Sequence, residues 1–133
     1  MIVVDTNVIA YVLIEGDKTA LAQQVAKKDP DWKVPPLWRH EFLNVLATSA
    51  RAEVIDALQA EALWHKGLDL LVRAEREADG SASLKLAIEH AISAYDAQYI
   101  ALAQSLETQC ITEDKRLLKT FPDTAVSMKA FCT

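Results

Sequence analysis

The chain is poor in the residues that break or staple a fold, with 3 glycines, 4 prolines and 2 cysteines among 133 residues. So little Gly and Pro excludes collagen-like repeats, low-complexity tracts and long flexible linkers. Cys110 and Cys132 have no metal-ligand spacing, which excludes a cysteine zinc site and leaves two expected free thiols, one in a strand and one in the tail. Long apolar runs are also missing. The first one, MIVV, ends at Asp5 and has no basic flank, so neither a signal peptide nor a membrane span is expected and the protein is placed in the cytoplasm, away from membranes. Positive charge is not in excess either: the formal net charge is -5. That is the wrong sign for gripping nucleic acid by phosphate contacts alone.

What is present is an ordinary globular composition, 51% hydrophobic and 25% charged. A chain of this length buries roughly two-thirds of its unfolded surface, enough for one domain over residues 1–133. Ile2 to Val4 is a short β-branched run, too brief for a helix and followed at once by the capping cluster Asp-Thr-Asn, so it reads as a buried first strand. Apolar residues at helical spacing then predict helices from Val8 to Gly16 and from Leu21 to Ala26. Val34 reads as a short strand, and Pro36 opens a helix carrying Trp38, Glu41, Phe42 and Leu46. Residues 53–72 predict a long helix with a break near Gly67, and RAEREADGS after it predicts a loop or frayed end. Leu84–Ala91 and Ala94–Glu107 predict helices, Gln109–Thr112 a strand, Lys115–Lys119 a short helix and Ala125–Met128 an edge strand. Strands alternating with helices imply an α/β fold with a mainly parallel central sheet between two helical layers.

Four acids stand out: Asp5 in VVDTN, Glu41 in RHEFLN, Asp96 in SAYDAQY and Asp114 in ITEDKRLL. Three have an ordinary explanation. Asp5 and Asp114 follow strands and precede helices, where an Asp caps the helix, and Ser93 to Asp96 has the spacing of a capping box. Glu113 competes with Asp114 for any ligand role. Glu41, inside a helix among Trp38, Phe42 and Val45, has no capping role and is either solvated or in need of a partner. Taken jointly, two acids closing neighbouring parallel strands and two near helix starts can converge on one sheet edge. Such a cluster repels itself unless protons or cations enter, and an all-oxygen donor set suits Mg²⁺ or Mn²⁺. With those four set aside, 15 acids remain against 14 bases, so the acidity no longer excludes a nucleic acid substrate. Thr6, Asn7 and Thr112 are candidate supporting groups, and Lys115 and Arg116 are candidate phosphate contacts, each with a bland reading as turn bonding or solvated charge. The aromatics are spread over helical faces; Tyr95 and Tyr99 read as core, Trp38 and Trp64 as candidates for a partner surface.

In order and context, VVDTNVIAYVL, EFLNVL, SAYDAQYIALAQ and CITEDKRLLK resemble the PIN-domain nucleases, most closely the VapC-type toxins of toxin-antitoxin pairs, over nearly the whole chain. The resemblance implies that Asp5, Glu41, Asp96 and Asp114 form an acidic quartet that binds Mg²⁺ or Mn²⁺ and cleaves RNA. It implies Thr112 and Asn7 as supporting polar groups, an antitoxin protein that occupies the site, and a homodimer. Two features do not map onto the family pattern, the basic pair Arg39-His40 and the polar stretch 73–83, and both bear on substrate choice.

Rival readings make different demands. A phosphotransfer enzyme of the haloacid dehalogenase type needs a second Asp where Asn7 stands. A receiver-like module needs an acidic pair at the first strand and a phosphoacceptor Asp ending a middle strand, and neither is evident. A PIN fold kept as a binding module without turnover stays open, because a motif does not prove turnover.

Overall fold

A computed structural model describes residues 1–133. Its centre is a four-stranded sheet in the order β2-β1-β3-β4, parallel throughout, formed by β1 (Ile2–Val4), β2 (Trp32–Lys33), β3 (Cys110–Ile111) and β4 (Ala125–Val126). The chain leaves β1 for one neighbour, β2, and returns after a long helical excursion to the other, β3. That reversal of direction creates a crevice beyond the strand ends at β1 and β3.

The two sides of the sheet follow from strand alternation. Ile2, Val4 and Ile111 face one core with Val8, Ile9, Trp38, Phe42 and Leu46, which α1 (Thr6–Leu13), α2 (Thr19–Lys28), α3 (Trp38–Arg51) and α4 (Ala57–Leu71) help to close. Val3 and Cys110 face a second core with Tyr99, Ile100, Leu102 and Leu117, under α5 (Gly80–His90), α6 (Ala94–Ser105) and α7 (Lys115–Thr120). The result is the three-layer α/β/α arrangement expected from the sequence. No helix is long and apolar enough to cross a membrane, and both cysteines are free, Cys110 buried and Cys132 partly so.

The structure corrects several local expectations. α4 runs through Gly67 without a break, and Gly67 is buried against α3. A methyl group there would lie 2.9 Å from Phe42 Cε2, so this glycine permits close helix approach rather than ending a helix. The stretch after α4 is the loop of the two alternatives expected, and an ordered one rather than a frayed end. A 3-10 turn at Val72–Ala74 leads to Glu75, which bridges in parallel to Val34, and α5 then starts at Gly80, capped by the Asp79 side chain on the Ala82 amide. The last strand stops at Val126, and Met128 begins a short helix, α8 (Met128–Cys132), capped by Ser127. Two aromatic assignments also change. Tyr95 is 62% exposed rather than core, whereas Trp38 is fully buried and packs against Phe42 and Trp64 with ring centroids 5.9 and 6.0 Å away, so it offers nothing to a partner.

Candidate active site

The crevice beyond β1 and β3 is built by short side chains that tie neighbouring elements together. Asp5 closes β1: its amide donates to the Ile111 carbonyl at 3.0 Å, and its Oδ1 accepts from the Thr6 amide at 2.7 Å as the cap of α1. Its Oδ2 accepts from the hydroxyl of Thr112, at the end of β3, at 2.9 Å. The same Thr112 oxygen accepts from the Asp114 amide at 3.1 Å. One fully buried hydroxyl therefore links the two strand-end acids.

Asp114 caps α7, with Oδ1 accepting from the amides of Arg116 and Leu117 at 2.9 and 3.0 Å. Glu113, its competitor in the sequence, turns the other way: Oε2 accepts from the Met128 amide at 3.0 Å, and Oε1 lies 3.8 Å from Lys18 Nζ. Asp96 is in the first turn of α6, where Ser93 Oγ accepts from its amide at 3.0 Å. The return bond from its carboxylate to the Ser93 amide, which would complete a capping box, is not made, so that carboxylate is not consumed by the cap.

Glu41 comes from α3 at the end of the first turn. Its Oε1 accepts from Thr6 Oγ1 at 2.9 Å and from the Tyr99 hydroxyl at 2.6 Å, and the two hydroxyls also touch one another. Tyr99 is thus more than the core residue its helical spacing implied. No local signal marks it, because the contact joins residues 58 positions apart.

Electrostatics bind the acids into one site. Burial, reinforced by the negative charges of Glu41 and Asp96, raises the Asp5 pKa to about 6, against the bonds from Thr112 and Thr6 that favour its ionised form. Burial also raises Asp96, with Asp114 and then Glu41 adding like-charge repulsion, while Ser93 and Arg116 pull it down. Burial and the adjacent Glu41 carboxylate push the Tyr99 phenol upward, so it stays a neutral donor.

The acids are coupled without being collapsed onto one another, since no three His, Cys, Asp or Glu side chains are close enough to enclose an ion. A closed cage is not what Mg²⁺ requires: it keeps several waters and binds through one or two carboxylates. Hard oxygen donors, excess negative charge and a desolvated Asp5 fit such an ion chemically. The remaining candidates divide. Thr6 and Thr112 bond to the acids directly. Asn7 is exposed and instead lines a neighbouring cleft of about 400 Å³ with Tyr11, Lys18 and Ser49. Arg116 donates from Nη2 to the Ala91 carbonyl at the end of α5, and Lys115 is exposed and forms no ion pair.

Of the two features that fitted no pattern, Arg39 of the basic pair and Glu75 of the polar stretch are partners of each other, while His40 is exposed. Arg39 Nε and Nη2 donate to Glu75 Oε2 and Oε1 at 2.7 and 2.9 Å, and Trp38 Nε1 adds a bond to Oε2 at 2.7 Å. They fasten the segment after α4 to the start of α3, which is a structural task.

Comparison with known proteins agrees with the fold. The family model described as PIN domain matches residues 2–122. The chain belongs to the PIN domain family. This membership sets aside the haloacid dehalogenase and receiver alternatives. The PIN domain is similar to "Ribonuclease VapC3" of Pyrobaculum aerophilum, with 29% identity over 127 residues that span 91% of this chain and 95% of that one. Among solved structures it resembles PAE2754 from Pyrobaculum aerophilum, with a TM-score of 0.78 and 22% identity over 98% of this chain and 92% of that one. It also resembles FitAcB from Neisseria gonorrhoeae, with a TM-score of 0.72 and 17% identity over 97% and 99% of the two chains.

Proposed function

We propose that this PIN domain is a divalent-metal-dependent endoribonuclease of the VapC type and the toxin of a toxin-antitoxin pair. The observation that carries the reading is a set of carboxylates gathered at the sheet's switch point, where burial first, and then repulsion from Glu41 and Asp96, lifts Asp5 to about 6. The ribonuclease name of the similar Pyrobaculum protein supports the same reaction.

Asp5, Glu41, Asp96 and Asp114 would hold Mg²⁺ or Mn²⁺, which when bound supplies acidification of water and neutralisation of charge at a phosphodiester. The chain's own residues do the rest. Thr112 fixes the Asp5 carboxylate and the turn to Asp114. The α7 amides orient Asp114, leaving its Oδ2 without a protein hydrogen bond. Lys115 and Arg116, beside Asp114 at the start of α7, would meet the phosphates of an RNA strand. With water as nucleophile, the products carry 3'-hydroxyl and 5'-phosphate ends.

An acidic crevice of this kind suits an antitoxin segment bearing Arg or Lys. Leu84, Ile88 and Tyr95 are exposed apolar side chains on α5 and the start of α6, and they supply surface for a homodimer. Cytoplasmic action on RNA follows from the same reading.

The test incubates purified protein with RNA in Mn²⁺ or in EDTA, beside Asp5→Asn and Asp96→Asn. Cleavage in Mn²⁺ alone, lowered at least about a hundredfold in both variants, is expected from the loss of groups nearer the ion than the outer-shell partners that cost 10–100-fold. Undiminished cleavage in both variants removes the assigned site, and no cleavage by the wild type leaves a binding module.

A further inference from the structure

We infer that Tyr99 and Thr6 form a clamp on one oxygen of Glu41, making Tyr99 a positioning residue that determines which carboxylate oxygen the site can use. The inference rests on the nuclease reading for its consequence, although the clamp itself is visible in the hydrogen bonds.

Three helices meet at Glu41 Oε1. Thr6 in α1 donates at 2.9 Å, Tyr99 in α6 donates at 2.6 Å, and Glu41 itself belongs to α3. No protein group bonds to Oε2, which is therefore the oxygen left for a ligand. A glutamate side chain has several rotatable bonds, and holding it in one rotamer before a ligand arrives removes part of the ordering entropy that binding must otherwise overcome.

The placement of Tyr99 is specific. It lies three residues after Asp96, so the two project from the same side of α6, and its ring is packed in the second core at 1% exposure. A Phe would fill that core equally well. A buried hydroxyl without a partner is unfavourable, and this phenol finds two, the Glu41 carboxylate and the Thr6 hydroxyl that bonds the same carboxylate. Thr6 is constrained in the same way: its amide bonds Asp5 and its hydroxyl bonds Glu41, so a single residue couples two of the four acids.

Tyr99→Phe removes only the phenolic oxygen, and Thr6→Val removes the second donor while keeping the backbone amide on Asp5. Mn²⁺ affinity by titration calorimetry, the thermal midpoint of the metal-free proteins, and kcat and KM for RNA are measured for both. A well-folded Tyr99→Phe protein that binds Mn²⁺ roughly 10–100-fold more weakly, with kcat reduced at fixed Mn²⁺ and KM for RNA unchanged, supports the clamp. Wild-type Mn²⁺ affinity in that variant overturns it while the nuclease reading stands. If Tyr99→Phe does not fold, Thr6→Val decides by the same criterion. A wild-type protein that neither binds Mn²⁺ nor cleaves RNA overturns both readings together.

Discussion

Asp5 and Glu75 are both largely removed from water, and the fold treats them in opposite ways. Glu75 receives a two-pronged bond from Arg39 and a third from Trp38, and Arg39, followed by Trp38, holds its pKa below the ordinary carboxylate value. Asp5 receives a hydroxyl and an amide but no cation, and burial with the repulsion of Glu41 and Asp96 lifts it to about 6. Arg116, on the neighbouring helix, spends its Nη2 on the Ala91 carbonyl and acts on Asp96 through charge alone. Where an acid fastens two segments the protein supplies its counter-charge; at the sheet edge it leaves the charge unmatched. That difference separates a structural carboxylate from a candidate functional one more sharply than burial does.

The strongest way to break this contrast is Asp5→Asn. A carboxyl raised from 3.8 to about 6 destabilises the metal-free fold by about 3 kcal/mol at neutral pH. Because the folded-state pKa is the higher one, the associated stability is fully present below about pH 4 and is lost as pH rises through 6. Asn keeps the capping ability of Asp. In urea denaturation without metal, Asp5→Asn is expected to exceed the wild type by about that amount at pH 7 and to match it near pH 4; an equal margin at both pH values contradicts the charged-site account.

Glu75→Ala should act in the reverse sense, lowering stability at pH 7 by about 2 kcal/mol as Trp38 Nε1 and Arg39 lose their acceptor. Its pKa is depressed, so the Glu75 contribution is present above the ordinary 4.5 and fades as pH falls through the lower folded value. Mn²⁺ affinity should be unchanged, and a large loss would mean that the two regions are not separate. The smallest effect sharpens the comparison from the ligand side. Mn²⁺ at ten times its dissociation constant should stabilise the wild type by about 1.4 kcal/mol, Asp5→Asn far less, and Glu75→Ala as much as the wild type. Equal stabilisation of wild type and Asp5→Asn would place the ion elsewhere.

Much of the fold could be read from the sequence because its signals are local. Ile2 to Val4 is short and β-branched, Asp5 follows as a cap, and the helical spacing through Val8, Ile9 and Leu13 survives in the structure. What escaped depends on contacts between distant residues. Gly67 looks like a helix break until Phe42 and Trp38 are seen against it. Glu75 looks like part of a loop until it meets Val34 and Arg39. Ala125–Met128 is too short for its periodicity to separate a strand from the start of a helix, so α8 went unseen. At the candidate site the flanking residues single out the four acids as candidates, whereas nothing singles out the Tyr99 hydroxyl, since a tyrosine at helical spacing gives the same pattern whether or not its oxygen has a task.

The central position of β1 also bears on when this molecule can act. The strand made first pairs with one that ends at residue 111, and the last acid of the site is Asp114. At ribosomal rates of about 5–20 residues per second, the interval between the synthesis of Asp5 and that of Asp114 is roughly 5–20 s. For nearly all of that time the nascent chain has no β3 beside β1 and no Thr112 to tie them. A growing chain therefore lacks the assembled crevice, which forms only when nearly all of the domain has been made.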